Sequence, residues 1–471
     1  MTKYQNIADK LVGLIDKQVL RAGERVPSVR RASRSHHVNP CTVLRAYRDL
    51  EARGLIESRP RSGYFVRRVA PRRLPEPAKT VPSTESTEVV VGDLIVDLVR
   101  AMSVPHVIPL GLSVLNPELL AVEGLNRAAA RAVRHLRPGE LVHDLTPGNP
   151  ALRRLIARRY LDAGSAVPDE DIVIVGGGRE AVVLCMRAVT RPGDTVAVET
   201  PNAWPQLGAL LGLGLQVREI STHPREGIDL AALEAALHSG GIKACLIMPT
   251  FQNPLGCLMS DANKRALAKL VARFETPLIE NDCVSDLYFG TERPRPVKAF
   301  DDAGFVLHCG SLSTCLAPAY NIGWIATGRY RREVSRTKIW LSLSTPSACQ
   351  AAMVEFLLRG SVEAHLRRLR HSVFARYQAM VTAISECFPR TCRVTHPAGG
   401  FVLWVEFPKG TDALKLYRLA MARGVSVAPG PMFSARYDYA SCLRLNFGYA
   451  SVQQIQEGVR TIAQLIGRAS S

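Results

Sequence analysis

From Val89 onward the chain alternates short apolar runs with stretches of helical periodicity, and this alternation restricts its fold more than any other feature. Ile172–Val175, Thr195–Val198, Ala244–Met248, Pro277–Glu280 and Val306–Cys309 are each four or five residues long and apolar on both faces. Such runs suit strands covered on two sides, and strands alternating with helices imply a mostly parallel α/β sheet. From about Thr345 a long helical pattern is followed by Gly399–Val405, which predicts a smaller α+β portion at the C-terminal end.

At 471 residues, two or three domains are expected. No run of 18 apolar residues occurs, and Met1-Thr-Lys-Tyr-Gln5 lacks a signal-peptide core. The expectation is a cytoplasmic protein with no membrane partner. The 11 cysteines are scattered and show no Cys-x-x-Cys spacing, which argues against a disulfide framework and against a zinc site. The net charge of +18 is unevenly spread: the first 75 residues carry 17 Lys or Arg against 6 Asp or Glu. A basic module of this kind suits a polyanion.

That module has a compact helical pattern. Tyr4–Leu20 places Ile7, Leu11, Leu14, Ile15 and Val19 at helical spacing, and Gly23 closes it. Ser28 offers a cap for a short helix to about Ser35, and Asn39-Pro40 a cap followed by proline at the first helical position. Val43, Ala46, Tyr47 and Leu50 line one face of the helix that follows. Leu55–Ser58 and Tyr64–Arg67, separated by Arg-Pro-Arg-Ser-Gly, predict a β-hairpin. The whole is a winged helix-turn-helix layout. Pro27–Arg30, Thr42-Val43, Ala46-Tyr47, Leu50-Glu51, Gly54–Ile56 and Arg59–Val66 resemble the GntR-type DNA-binding domain at nearly every signature position. One departure is Arg61, where many relatives have glycine.

The resemblance implies double-stranded operator DNA as the partner. In such a fold the second helix of the pair enters the major groove with its first residues on base edges. Asn39, Thr42 and Arg45 occupy that end; Arg30 and Arg34 belong to the preceding helix and to phosphates; Arg59, Arg61 and the Gly63 turn form the wing. The expected domains are 1–68 for this module, 69–88 for a Pro-, Ser- and Thr-rich linker, and 89–471 for the body. Within the body, a large portion spans about 110–340 and a small one about 345–471.

In the body, Gly176-Gly-Gly-Arg-Glu180 follows an apolar run and opens a helical pattern, so successive N–H groups there can hold a phosphate. Together with Arg191–Pro201, Gln252–Gly256, Ser311–Trp324 and Ser441–Asn446, it makes the body resemble fold-type I, pyridoxal-phosphate-dependent aminotransferases over roughly 350 residues. What the resemblance implies is a cofactor site at Gly177, Gly178, Arg179, Asn253, Asn281, Ser311, Ser313, Thr314 and Asn321, and a clamp for a ligand carboxylate at Arg444.

Several of these positions depart from the family pattern. Thr314 stands where the family has its Schiff-base lysine, and a hydroxyl cannot form an imine. Asn281 replaces the aspartate that pairs with the pyridine nitrogen, Val284 a tyrosine, and Asn321 the phosphate arginine. Ala203 falls at the stacking ring, with Trp204 beside it, and His143 at a tyrosine donated across a dimer. Lys298 lies sixteen positions upstream of Thr314 as an alternative amine, and Arg179 could replace the lost phosphate cation. A GntR-type module fused to such a body resembles the MocR subfamily of transcriptional regulators. The resemblance implies a homodimer that takes pyridoxal phosphate and whose body senses an effector, an amine or a carboxylate; the departures at Thr314, Asn281, Val284 and Asn321 lead to the expectation of a catalytically inactive body with no covalently held cofactor and with pyridoxal phosphate weakly bound or lost. Two alternatives are non-covalent pyridoxal phosphate binding and residual aminotransferase activity through another lysine.

Overall fold

The computed structural model describes residues 3–16, 20, 23–52, 55–59, 62–66, 74–89, 106–136, 139, 145–360 and 362–469. These divide into two compact units, Met1–Arg73 and Leu74–Ser471.

The first unit contains helix α1 (Lys3–Asp16), α2 (Val29–Ser35), α3 (Pro40–Ala52) and strands β1 (Ile56–Arg59) and β2 (Gly63–Val66). Both predicted caps form. The Ser28 hydroxyl accepts from the Arg31 N–H at 3.3 Å, and Asn39 Oδ1 from the Cys41 N–H at 2.9 Å. α1 is described as far as Asp16; residues 17–19, Val19 among them, lie outside the described residues, and Leu20 is not helical. The hairpin is displaced by one residue from its expected bounds, with Ile56 opposite Val66 and Arg59 opposite Gly63; Arg61 and Arg67 lie outside the described residues. One core gathers Ile7, Leu11, Val43, Tyr47, Leu50, Ile56 and Val66. The Tyr47 hydroxyl donates to the Pro27 carbonyl at 2.6 Å and so locks the turn that leads into α2.

The second unit is built on an eight-stranded sheet. Its order is Thr87–Glu88, Gln216–Ile220, Thr195–Glu199, Ile242–Ile247, Leu278–Asp282, Val306–Ser311, Gly323–Ala326, Ile172–Val175. Pairing is parallel from Gln216–Ile220 through Val306–Ser311, whereas Gly323–Ala326 runs antiparallel to both of its neighbours. All five predicted strands are present, and Gln216–Ile220 and Gly323–Ala326 join them. The helix Gly177–Val189 covers one face with Ala181, Leu184, Cys185 and Met186. Leu233, Leu267 and Val271 cover the other. The small portion carries the helix Val362–Cys387 and a four-stranded sheet in the order Arg393–Val394, Val402–Glu406, Cys442–Asn446, Ala428–Pro429.

The expected linker needs correction. Residues 74–88 belong to the second unit, where they form an arm bonded to both portions of the body. The Pro75 carbonyl accepts from the Val394 N–H at 2.8 Å, and the Leu74 carbonyl lies 2.9 Å from His396 Nε2. Thr80 Oγ1 donates to the Thr200 carbonyl at 2.9 Å and accepts from the Thr222 N–H at 2.8 Å. Lys79 pairs with Asp229 at 2.5 Å. Thr87–Glu88 then adds the antiparallel edge strand. Polar composition here reflects bonds to a surface rather than freedom in solvent.

Candidate nucleic-acid interface and ligand cavity

Two sites follow, one in each unit. In the first, Arg30 and Arg34 are exposed on α2, while Asn39 caps α3 and Thr42 and Arg45 occupy its first two turns. Asn39 uses its Oδ1 as a cap, which leaves its amide NH₂ and one oxygen lone pair for another partner. Arg45 is exposed, its guanidinium 4.4 Å from the Tyr4 ring centroid. Arg59 is less available than its position suggests: it pairs with Glu57 at 2.8 Å and stacks on Phe65 at 4.3 Å. Gly63 has φ +95°, a conformation that favours glycine, and a Cβ there would meet the Arg25 guanidinium at 3.2 Å.

Arg25 was missed in the sequence because Gly23–Val26 reads as a loop. In the structure it lies along the wing, with the Val26 N–H bonded to the Tyr64 carbonyl at 3.0 Å and the Val66 N–H to the Glu24 carbonyl at 2.8 Å. The result is an exposed set of cations on α2, α3 and the wing side of one small fold, the electrostatic pattern of a duplex-binding face.

In the second unit a cavity of about 610 Å³ opens where strand ends and the helix Gly177–Val189 meet. It is lined by Gly178, Arg179, Asn253, Asn281, Ser311, Ser313, Thr314 and Asn321, so eight of the nine predicted cofactor residues converge. The ninth, Gly177, sits just behind at φ +79°, where a Cβ would lie 2.2 Å from Asn321 Oδ1. Ser311 and Ser313 both turn their hydroxyls to the Ile322 carbonyl, at 3.4 and 3.1 Å. Asn253 Nδ2 donates to Ser113 Oγ at 3.1 Å.

The helix start differs from an open phosphate cradle. The Glu180 carboxylate, one turn in, reaches back to accept from the Gly176 N–H, and its other oxygen accepts from Ser342 Oγ at 2.7 Å. An anion therefore already takes one of the N–H groups expected to face a phosphate. Arg179 remains on the cavity wall, with its guanidinium 5.5 Å from the Trp204 ring centroid. Ala203 lines the wall where a stacking ring was expected.

No lysine lines this cavity among the described residues. Lys298 is committed elsewhere: its Nζ lies 2.8 Å from Asp301 Oδ2 and 2.9 Å from the Val306 carbonyl. Lys264 is likewise bonded to Thr250 Oγ1 at 2.9 Å and to the Arg295 carbonyl at 2.6 Å. Cys283 is on the wall, but burial pushes its thiol up to about 12, far from a working thiolate. Asn281 Oδ1 is buried without a hydrogen-bond partner. His143 lies outside the described residues.

Arg444 is fully buried behind the wall and not on it. One amino group donates to the Leu112 carbonyl at 2.8 Å and to the Gly111 carbonyl, and the other to Asn253 Oδ1 at 3.5 Å. Its Nε is unpartnered, and burial pushes the guanidinium down to about 9.

Known proteins match both units. Residues 3–66 match the model of bacterial regulatory proteins of the gntR family, and residues 110–462 that of aminotransferase class I and II. Over 467 residues, 99% of each chain, the protein is 37% identical to the HTH-type transcriptional regulator YdcR of Escherichia coli (strain K12). It is 37% identical over the full length of both chains to a second regulator of that organism, YjiR. Among solved structures, the multiple substrate aminotransferase of Thermococcus profundus superposes with a TM-score of 0.75 at 28% identity, covering 81% of this chain and 96% of that one. No helix among the described residues is long and apolar enough to cross a membrane. The chain belongs to the transcriptional regulators that join a GntR-type helix-turn-helix domain to an aminotransferase class I and II domain, the MocR subfamily.

Proposed function

We propose that the aminotransferase-like body of this regulator is catalytically silent and serves to sense a small effector bearing a carboxylate or an amine. In this reading the chain works as a homodimer, and effector binding shifts how its two helix-turn-helix modules engage double-stranded operator DNA. Arg30, Arg34, Thr42 and Arg45 contact the duplex, and Asn39 orients the entering helix.

The observation that carries the reading is the cavity wall, where Thr314 stands among the converged residues and no lysine among the described residues lines the space. Pyridoxal phosphate does not fit these residues as a covalently held, activated group. Among the described residues no amine lines the cavity to capture its aldehyde, Asn281 offers an amide where an anion would hold the ring nitrogen protonated, and Glu180 sets a carboxylate at the helix start. Buried Arg444 supports a carboxylate ligand. Among the described residues no acidic side chain pairs with it, and an entering carboxylate would supply the missing counter-charge through the Asn253 side of the cavity.

The test is to incubate the full-length protein with pyridoxal phosphate, reduce it with borohydride and map the adducts by mass spectrometry. The expected result is no stoichiometric label on any lysine of the body. A single lysine labelled to completion refutes the silent-body reading, while binding that leaves no adduct points to a non-covalent phosphate at Gly178 and Arg179.

A further inference from the structure

A second cavity, of about 690 Å³, lies on the other side of the Gln252–Gly256 loop: Asn253 faces the first cavity, whereas Leu255 lines the second. Its volume is within the range of small-molecule sites, about 300–1,000 Å³. Three parts of the unit enclose it. The arm supplies residues 77–80; the large portion supplies Thr222, Pro224 and Leu255; the small portion supplies residues from Trp404 to Asp412 and from Tyr439 to Cys442.

The chemistry of the walls is specific. The floor is aromatic, with Trp404 buried and set edge-on to Tyr439 at 5.8 Å between centroids. Four charged groups line the space, and two are already engaged. Lys79 pairs with Asp229, and Asp412 Oδ1 caps the helix Ala413–Met421 by accepting from the Leu414 and Lys415 N–H groups at 2.8 and 3.0 Å. Glu406, at the end of the strand Val402–Glu406, and Lys409, three residues on, enter no ion pair among the described residues. One anion and one cation with no ion pair among the described residues, lining the same space as Trp404 and Tyr439, complement a molecule with a carboxylate and an ammonium on an apolar body.

We propose that this cavity is a binding site for a free amino acid with an apolar side chain, held by Lys409 through its carboxylate and by Glu406 through its ammonium. Such an occupant touches the arm and both portions of the body at once. It therefore fixes the segment through which the body continues into the DNA-binding module.

The experiment is calorimetry on the full-length protein with L-phenylalanine and L-leucine, and with phenethylamine and 3-phenylpropionate as single-charge probes. The expected result is that at least one of the two amino acids binds, and that Lys409→Met weakens this amino acid and phenylpropionate about tenfold or more while leaving phenethylamine unchanged. Glu406→Gln weakens the same amino acid and phenethylamine by a similar factor and spares phenylpropionate. Both residues lie at the surface of the cavity, so the variants fold. The proposal is overturned if neither amino acid binds at millimolar concentration, or if both variants bind like the parent. It is equally overturned if Asn253→Ala, at the first cavity, abolishes binding that Glu406→Gln leaves intact.

Discussion

Substituting Glu199 by glutamine should stabilise the body, by an amount that depends on pH in a calculable way. Glu199 ends the strand Thr195–Glu199 and is fully buried. One carboxyl oxygen accepts from the Met248 N–H at 2.7 Å, next to a residue of the first cavity's wall, and the other has no partner. Desolvation raises its pKa from 4.5 to about 8, against the lowering effect of that single hydrogen bond. A raised carboxyl pKa means that the folded state holds the proton more tightly than the unfolded chain. Stability is therefore fullest below about pH 4.5 and is lost as pH climbs towards 8. At ~1.4 kcal/mol per pKa unit, the cost of keeping this group buried is about 1.4 kcal/mol at pH 5.5 and about 4 kcal/mol at pH 7.5. Glutamine keeps an acceptor for the Met248 N–H and does not titrate, so the gain from Glu199→Gln should grow by about 2.5 kcal/mol between these pH values. A body of about 400 residues has an unfolding entropy near 0.8 kcal/mol/K, which converts that growth to roughly 3 °C in Tm. Differential scanning calorimetry of both proteins at the two pH values measures it, and other titrating groups cancel in the difference. A gain of the same size at pH 5.5 and 7.5, or a loss that deepens with pH, refutes the assignment of a proton to Glu199.

Two further outcomes follow from the DNA-binding module. Measured by fluorescence anisotropy on a short duplex from about 50 to 300 mM salt, Arg30→Ala and Arg34→Ala should each reduce the slope of log affinity against log salt by about 0.9, one released counterion apiece; because Arg59 is already paired with Glu57, Arg59→Ala should change the slope by less. Tyr47→Phe removes the bond to the Pro27 carbonyl while keeping the buried ring, and should cost the module about 1 kcal/mol in denaturant unfolding followed by circular dichroism, with no change in the salt slope.

What could be read in advance, and what could not, divides by the range of the interactions involved. Ser28 and Asn39-Pro40 act on N–H groups two or three residues away, so the helix starts they mark were legible in the sequence. Ile172–Val175 and Val306–Cys309 were legible because burial on both faces demands apolar side chains throughout. Gln216–Ile220 escaped notice because Arg218 interrupts its apolar run, and Gly323–Ala326 because it begins inside the conspicuous Ser311–Trp324 segment. The cofactor-like cavity was legible as motifs, each carried by a loop with its own turn chemistry. The carboxylate of Glu180 closing back on Gly176 is only four residues distant, and a capping reading of Gly176–Glu180 would have found it. The arm was hidden for a different reason. Thr80 bonds residues 120 and 142 positions away, and Leu74 a residue 322 away, so its polar composition satisfied a distant surface that no local pattern announces. The same distance conceals the second cavity, whose walls come from residues 77–80, 222–255, 404–412 and 439–442. Family motifs mark where the family's chemistry is done, because those residues cluster in short loops. A binding site assembled from an arm and two distant edges becomes visible only once the chain is folded.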